Sequence, residues 1–347
     1  MVLNKLLNFN IFMVSDMKKL INSPEDYVDE CLEGMVNAEP MVFKIEGETK
    51  RVLCKAQMDK GKVGVVSGGG FGHIPVFAGY VGDGLLDACA VGDVFSSPDM
   101  NPMLESIKLA NSGEGVVCVI GNYGGDVLNF QLATEFAEAE GIKVSQVIVN
   151  DDIASASKNE IEKRRGVAGL VFAIKIAGAA SSQSYSLEKV TDVTKLAIDN
   201  TRSIGVALSS CTVPQAGKPT FEISEKEIEI GMGIHGEPGV WRGNLKPANE
   251  IIDELYDRIN DDFKLNKGDK IALMVNGLGA TPIEELYILF RRLNQKLTQD
   301  GIIQKKTLVG NYATSMEMAG FSLSVMKLNS ELEELINLPA QNPFWKN

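Results

Sequence analysis

Short runs of apolar and β-branched residues alternate along the chain with longer stretches whose apolar positions recur every three or four residues. Residues 63–66, 115–120, 144–149, 204–208, 227–230, 271–275, 307–309 and 321–328 form the short runs, which predict strands. Residues 130–140 and 283–297 carry apolar positions at helical spacing, and 170–180 is apolar nearly throughout. That pattern predicts two amphipathic helices and one buried helix. Strands alternating with helices predict an α/β fold.

Several predicted strands run directly into loops of glycine, asparagine or aspartate, at 67–72, 121–126, 150–152 and 276–280. Open α/β sheets bind ligands at the carboxyl ends of their strands, so these loops are where a site is expected. A domain boundary is expected near the polar stretch 181–188 or the helix after it, ending around Asn200. This gives an N-terminal α/β domain over 17–190 and a C-terminal one over 191–347.

Length suits two domains of roughly 100–200 residues each, and 44% apolar residues supply two cores. A net charge of −12 argues against direct binding to nucleic acid or an anionic membrane. The five cysteines, Cys31, Cys54, Cys89, Cys118 and Cys211, include no C-x-x-C pair, which suits a reducing cytoplasm. Residues 1–16 are apolar but interrupted by Asn4, Lys5, Asn8 and Asn10, and read as an extension rather than a signal peptide, with Met17 a second plausible start. No run approaches the ~20 apolar residues of a membrane span.

Only two histidines occur, His73 and His235, and both sit among glycines. Glycine lets backbone approach a ligand closely, and imidazole serves as base or nucleophile near pH 7. Asp126, after the predicted strand 115–120, reads either as a helix N-cap or as a third polar group of the same site. Other chemistries fit less well. Gly231-x-Gly233-x-x-Gly236 matches a dinucleotide fingerprint, but Pro238 and Gly239 oppose the helix that should come next. Ala216-Gly217-Lys218-Pro219 lacks the first glycine and the hydroxyl of a phosphate-binding loop, so no nucleotide site is expected here. The histidines and cysteines have no zinc spacing, no metal is expected, and no G-x-S-x-G elbow is present.

Five segments in order carry a resemblance: Ser67-Gly-Gly-Gly-Phe-Gly-His73-Ile-Pro75, Asn122-Tyr-Gly-Gly-Asp126-Val-Leu-Asn-Phe130, Cys211-Thr-Val-Pro-Gln-Ala-Gly-Lys-Pro219, Gly233-Ile-His235-Gly-Glu-Pro-Gly239 and Val275-Asn-Gly-Leu-Gly-Ala-Thr-Pro282. From about Met17 onward the chain resembles the dihydroxyacetone-binding subunit of dihydroxyacetone kinase. The resemblance implies two α/β domains with mixed sheets flanked by helices, a homodimer, and capture of the ketone on His235 as a hemiaminal. It also implies that His73 and Asp126 meet the substrate hydroxyls as acid/base groups, with backbone of Gly70, Phe71 and Gly72 forming part of the pocket. Nucleotide and magnesium would then belong to a partner subunit.

The chain departs from the kinase pattern, which usually reads G-G-G-S-G-H-E-P, at Phe71 and Ile74. Kinase-type sequences also often carry a lysine where Gly121 stands and a threonine where Gly124 stands. Losing a cation beside the reacting oxygens would harm phosphoryl transfer more than binding. The expectation is therefore a sensor that resembles the coactivator paralogue of this family, binding dihydroxyacetone and a TetR-type transcription factor. The alternative is the substrate-binding subunit of a phosphotransferase-dependent kinase.

Overall fold

Two six-stranded mixed sheets share one layer of helices. The computed structural model describes residues 18–345 and 347, so the extension 1–16 and the second start at Met17 lie outside the described residues. Helix α1 (Tyr27–Ala38) leads into β1 (Phe43–Glu46), β2 (Val52–Lys55), β3 (Gly64–Phe71), β4 (Ala88–Val94), α2 (Met100–Ala110), β5 (Val116–Gly121), α3 (Gly124–Ala139) and β6 (Val144–Val149). These strands lie in the order β1-β2-β4-β3-β5-β6, parallel from β4 to β6 and antiparallel at the other edge.

Helices α4 (Leu170–Ser182) and α5 (Leu187–Asp199) come next, then β7 (Thr201–Ala207), a small hairpin of β8 (Thr212–Val213) and β9 (Lys218–Pro219), β10 (Glu227–Ile230), β11 (Trp241–Asn244), α6 (Ala248–Phe263), β12 (Lys270–Gly277), α7 (Ile283–Asp300), β13 (Ile303–Gly310), β14 (Gly320–Leu328) and α8 (Ser330–Asn337). The second sheet runs β11-β10-β7-β14-β12-β13, and only β12 and β13 pair parallel.

Side-chain parity sorts each strand between two cores. In the first sheet Val65 and Val117 face the middle of the molecule, whereas Val66 and Cys118 face α2 and α3. In the second, Met274 faces the middle while Leu273 and Val275 face α6 and α7. The middle core joins both sheets through Phe172 and Ile176 of α4, Val190 of α5 and Leu332 and Ile336 of α8. A helix buried between two sheets has no wet face, which is why 170–180 is apolar all round apart from Lys175. The chain crosses to the second sheet at Asn200, and the expected divide at 190/191 falls inside α5, whose Val190 and Val193 belong to the shared core.

Sequence pattern alone leaves out β1, β2, β4 and β11, and the glycine-rich run is strand rather than loop. Ser67, Gly68 and Gly69 continue β3 and pair with Cys89, Ala90 and Val91 of β4. A Cβ on Gly68 would lie 2.8 Å from the Ala90 carbonyl oxygen, so glycine here serves close packing of strands.

Candidate functional site

Beyond β3 the backbone turns at Gly72, with φ +105°, and a Cβ there would lie 2.8 Å from the Phe95 ring. The turn drives His73 inward until its side chain is fully buried. Its Nδ1 lies 2.8 Å from the carbonyl oxygen of Thr314. Burial, and then the neighbouring His235, bring the His73 pKa down to about 3, so the ring is neutral near pH 7. A carbonyl only accepts, so Nδ1 carries the hydrogen and Nε2 keeps a lone pair, without a protein partner among the described residues.

His235 stands in the loop after β10. Its Nδ1 lies 3.1 Å from Oε1 of Glu237, and its backbone N–H donates to Oε2 at 3.0 Å. Burial opposes ionisation of Glu237, but the bond to the His235 ring and the Arg165 charge outweigh it and bring the carboxyl down to about 2. A carboxylate accepts from Nδ1–H, which leaves the lone pair of His235 on Nε2.

The two imidazoles meet edge to face with centroids 4.8 Å apart. Phe95 stacks on His73 and approaches His235 edge-on at 5.3 Å, and Tyr123 closes on His235 at 4.8 Å. Asp126 enters from the first turn of α3. The N-cap position belongs to Tyr123, with no side-chain cap bond, so the capping role considered for Asp126 is not the one the fold uses. Instead Asp126 is buried with Oδ1 unpartnered, and burial pushes its pKa up to about 6 against a bond from Ser97. The fold therefore gathers His73, Asp126 and His235 from three strand ends in two sheets.

Gly70 is pressed against the Ser96 backbone, where a Cβ would lie 2.7 Å from the amide nitrogen. The Phe71 side chain turns away from the histidines: its ring packs in the shared core, edge-on to Tyr27 at 6.0 Å. Gly121 ends β5, and a Cβ there would meet the Tyr123 ring at 3.2 Å.

Two supporting devices have little signal in the sequence. The first is Asn276, fully buried at the end of β12, whose Nδ2 donates to Ala313 O at 2.7 Å while Oδ1 accepts from Tyr312 and Ala313 at 2.8 and 2.9 Å. It shapes the loop that delivers Thr314 to His73 and Ser315 to the Ile234 carbonyl. The same loop bonds back to the first sheet's turn, from Met316 N–H to Gly72 O at 2.8 Å. The second is the pair Glu237 and Arg165. Glu237 belongs to the Gly233–Gly239 motif, where sequence pattern gives it no role; Arg165 carries no local signal, because its partners are distant in sequence.

Among the described residues no cluster of histidine, cysteine and carboxylate could hold a metal ion, and no helix is long and apolar enough to cross a membrane. A nucleophilic nitrogen, a neutral acceptor imidazole and a carboxylate, ringed by aromatics, suit a small hydroxylated carbonyl compound.

Residues 33–344 match the Dak1 domain family. The chain is 44% identical, over 95% of its length and all of the relative's, to the dihydroxyacetone-binding subunit DhaK of PTS-dependent dihydroxyacetone kinase 1 from Listeria innocua. It is 36% identical to the corresponding subunit of the PEP-dependent kinase of Escherichia coli, covering 94% of this chain and 98% of that one. Among solved structures, the dihydroxyacetone kinase operon co-activator Dha-DhaQ superposes with TM-score 0.84 at 32% identity, covering 90% of this chain and 96% of that one. The dihydroxyacetone kinase of C. freundii gives TM-score 0.86 at 31% identity, covering 94% of this chain and 60% of that one.

Proposed function

The chain belongs to the Dak1 domain family, and from that membership we propose that it captures dihydroxyacetone as a covalent hemiaminal on His235. The observation that carries this reading is the His235–Glu237 contact of 3.1 Å, which puts a lone pair on Nε2 beside two further unpartnered acceptors. Nε2 adds to the ketone carbon, the C=O π pair moves to oxygen, and that oxygen takes a proton from solvent. The Nδ1 hydrogen passes through Glu237 to solvent, so the ring loses one N–H and the ligand gains one O–H. His73 Nε2 and Asp126 accept hydrogen bonds from the ligand hydroxyls. A glycerol molecule offers no carbonyl to attack, which makes the bond itself the basis of selectivity.

Carbon NMR of dihydroxyacetone labelled at its carbonyl carbon tests the adduct. On binding, the label should move from the ketone to the tetrahedral region, and His235→Ala should abolish that change. A tetrahedral signal that survives in the variant would remove His235 from the mechanism.

Once the ketone is captured, the role we favour is that of a sensor, serving as coactivator of a TetR-type transcription factor in the cytoplasm. Its support is Gly121, which leaves the site without a cationic side chain at the end of β5, and Phe71 and Ile74, which stand where the kinase pattern has serine and glutamate. The alternative, a kinase subunit served by a nucleotide- and magnesium-bearing partner, has specific support of its own in the 44% identity over the full length of such a subunit. Both readings expect a homodimer. Turnover of dihydroxyacetone with a competent nucleotide-binding subunit and phosphoryl donor, at the rate of an authentic DhaK control, would overturn the sensor. No turnover beside an active control supports it.

A further inference from the structure

Resting on the ketone-capture reading, we propose that Arg165 is a positioning residue for His235, acting through Glu237 to fix the ring tautomer that leaves Nε2 free to add to a carbonyl. Arg165 lies between β6 and α4 and reaches across to the loop of the second sheet. Its base is rigid: its N–H donates to Ser155 Oγ at 2.9 Å and its carbonyl accepts from Asp152 N–H at 3.1 Å. Its guanidinium grips Asp152 Oδ2 through Nε at 2.9 Å and Nη2 at 2.7 Å, and Nη2 also donates to Gly231 O at 2.9 Å. The remaining nitrogen, Nη1, faces Glu237 Oε2 at 3.8 Å.

The glycines that mimic a dinucleotide fingerprint serve this crossing. Gly231 has φ +84° and Gly236 φ +87°. A Cβ on Gly233 would lie 2.5 Å from Arg165 Nη1 and closer still to Glu237 Oε2, so any side chain there would part the two.

The electrostatic argument is specific. Asp152 is 2% exposed, and burial pushes its pKa up to about 6 even with Arg165 opposing. Without the guanidinium, Asp152, already pushed up to about 6, takes the proton, and Glu237 loses the cation that faces its Oε2. A Glu237 side chain no longer held from that side can leave Nδ1 of His235, and a neutral ring freed of this acceptor shifts its hydrogen toward Nε2, which then has no lone pair for the carbonyl. Arg165 thus holds Glu237 as an acceptor.

The test combines nitrogen NMR of the histidine side chains in ligand-free protein with the rate of the carbonyl-label change. Wild-type protein should show the Nδ1–H tautomer at His235. In Arg165→Met, Nε2–H should appear and capture should slow about tenfold or more. Arg165→Lys should restore part of the rate. An unchanged tautomer and rate in folded Arg165→Met would overturn the proposal, as would a loss that Arg165→Lys leaves unrepaired. If wild-type protein has the Nδ1–H tautomer but forms no adduct, the ketone reading fails, and the tautomer measurement still decides the role of Arg165.

Discussion

The imidazole of His73 lies flat on the ring of Phe95, with centroids 4.9 Å apart and planes inclined by 15°. Phe95 holds this place in a left-handed backbone conformation, φ +57°, which a bulky residue adopts only when its surroundings demand it. The stack covers one imidazole face, His235 meets another edge, and Thr314 takes the Nδ1 hydrogen. No water layer is left to solvate an imidazolium.

Stability should therefore fall in acid through His73. The folded pKa is depressed to about 3 from 6.5, so between those values the unfolded chain binds the extra proton. The contribution is intact above about 6.5 and is lost progressively as pH falls toward 3. Urea midpoints measured from pH 7 to 4 should decline more steeply for wild type than for His73→Asn, and parallel curves would contradict the assignment.

Asp126 has the opposite sign. Burial raises its pKa to about 6, so the ionised form costs stability above that pH, and the cost is relieved as pH falls toward 4. Ligand binding that uses Asp126 as acceptor should weaken as pH drops through about 6. Asp126→Asn should bind more weakly at pH 7 and lose that pH dependence; an unaltered pH profile in the variant would exclude the role.

Asn276 ties the loop that unites the two histidines through three of its hydrogen bonds, and its Nδ2 also donates to Ser322 Oγ of β14 at 3.0 Å. Replacing it by alanine leaves two backbone N–H groups and a carbonyl unpaired in a buried place, at roughly 1–3 kcal/mol for each unsatisfied group. Asn276→Ala should lower the unfolding free energy by several kcal/mol, and nitrogen NMR should show the Nδ1 signal of His73 disturbed although position 276 does not touch its ring.

Lys175 stands inside the apolar helix α4, with Nζ donating to Leu335 O at 3.0 Å and lying 5.8 Å from the Trp345 ring. Burial, then Lys306, bring its pKa down to about 8 from 10.5. The folded state therefore loses the proton first, and stability gains as pH rises from about 8 to 10.5. Lys175→Met should remove this rise and be at least as stable as wild type at pH 7, as read by thermal unfolding across that range.

Local pattern in the amino-acid sequence establishes the alternation of strands and helices, the buried character of α4, and the glycine-flanked positions of His73 and His235; Asp126, expected in a loop, lies in the first turn of α3. These depend on local periodicity and on glycines whose effect is confined to a few residues. Only the tertiary structure decided the strand order, the helical layer common to both sheets, and the chemical state of the site. His73 takes its tautomer from Thr314, 241 positions away, and Arg165 reaches Gly231 across 66. Hydrogen-bond direction, burial and charge are properties of what surrounds a side chain, and those surroundings come into being only when the two sheets meet.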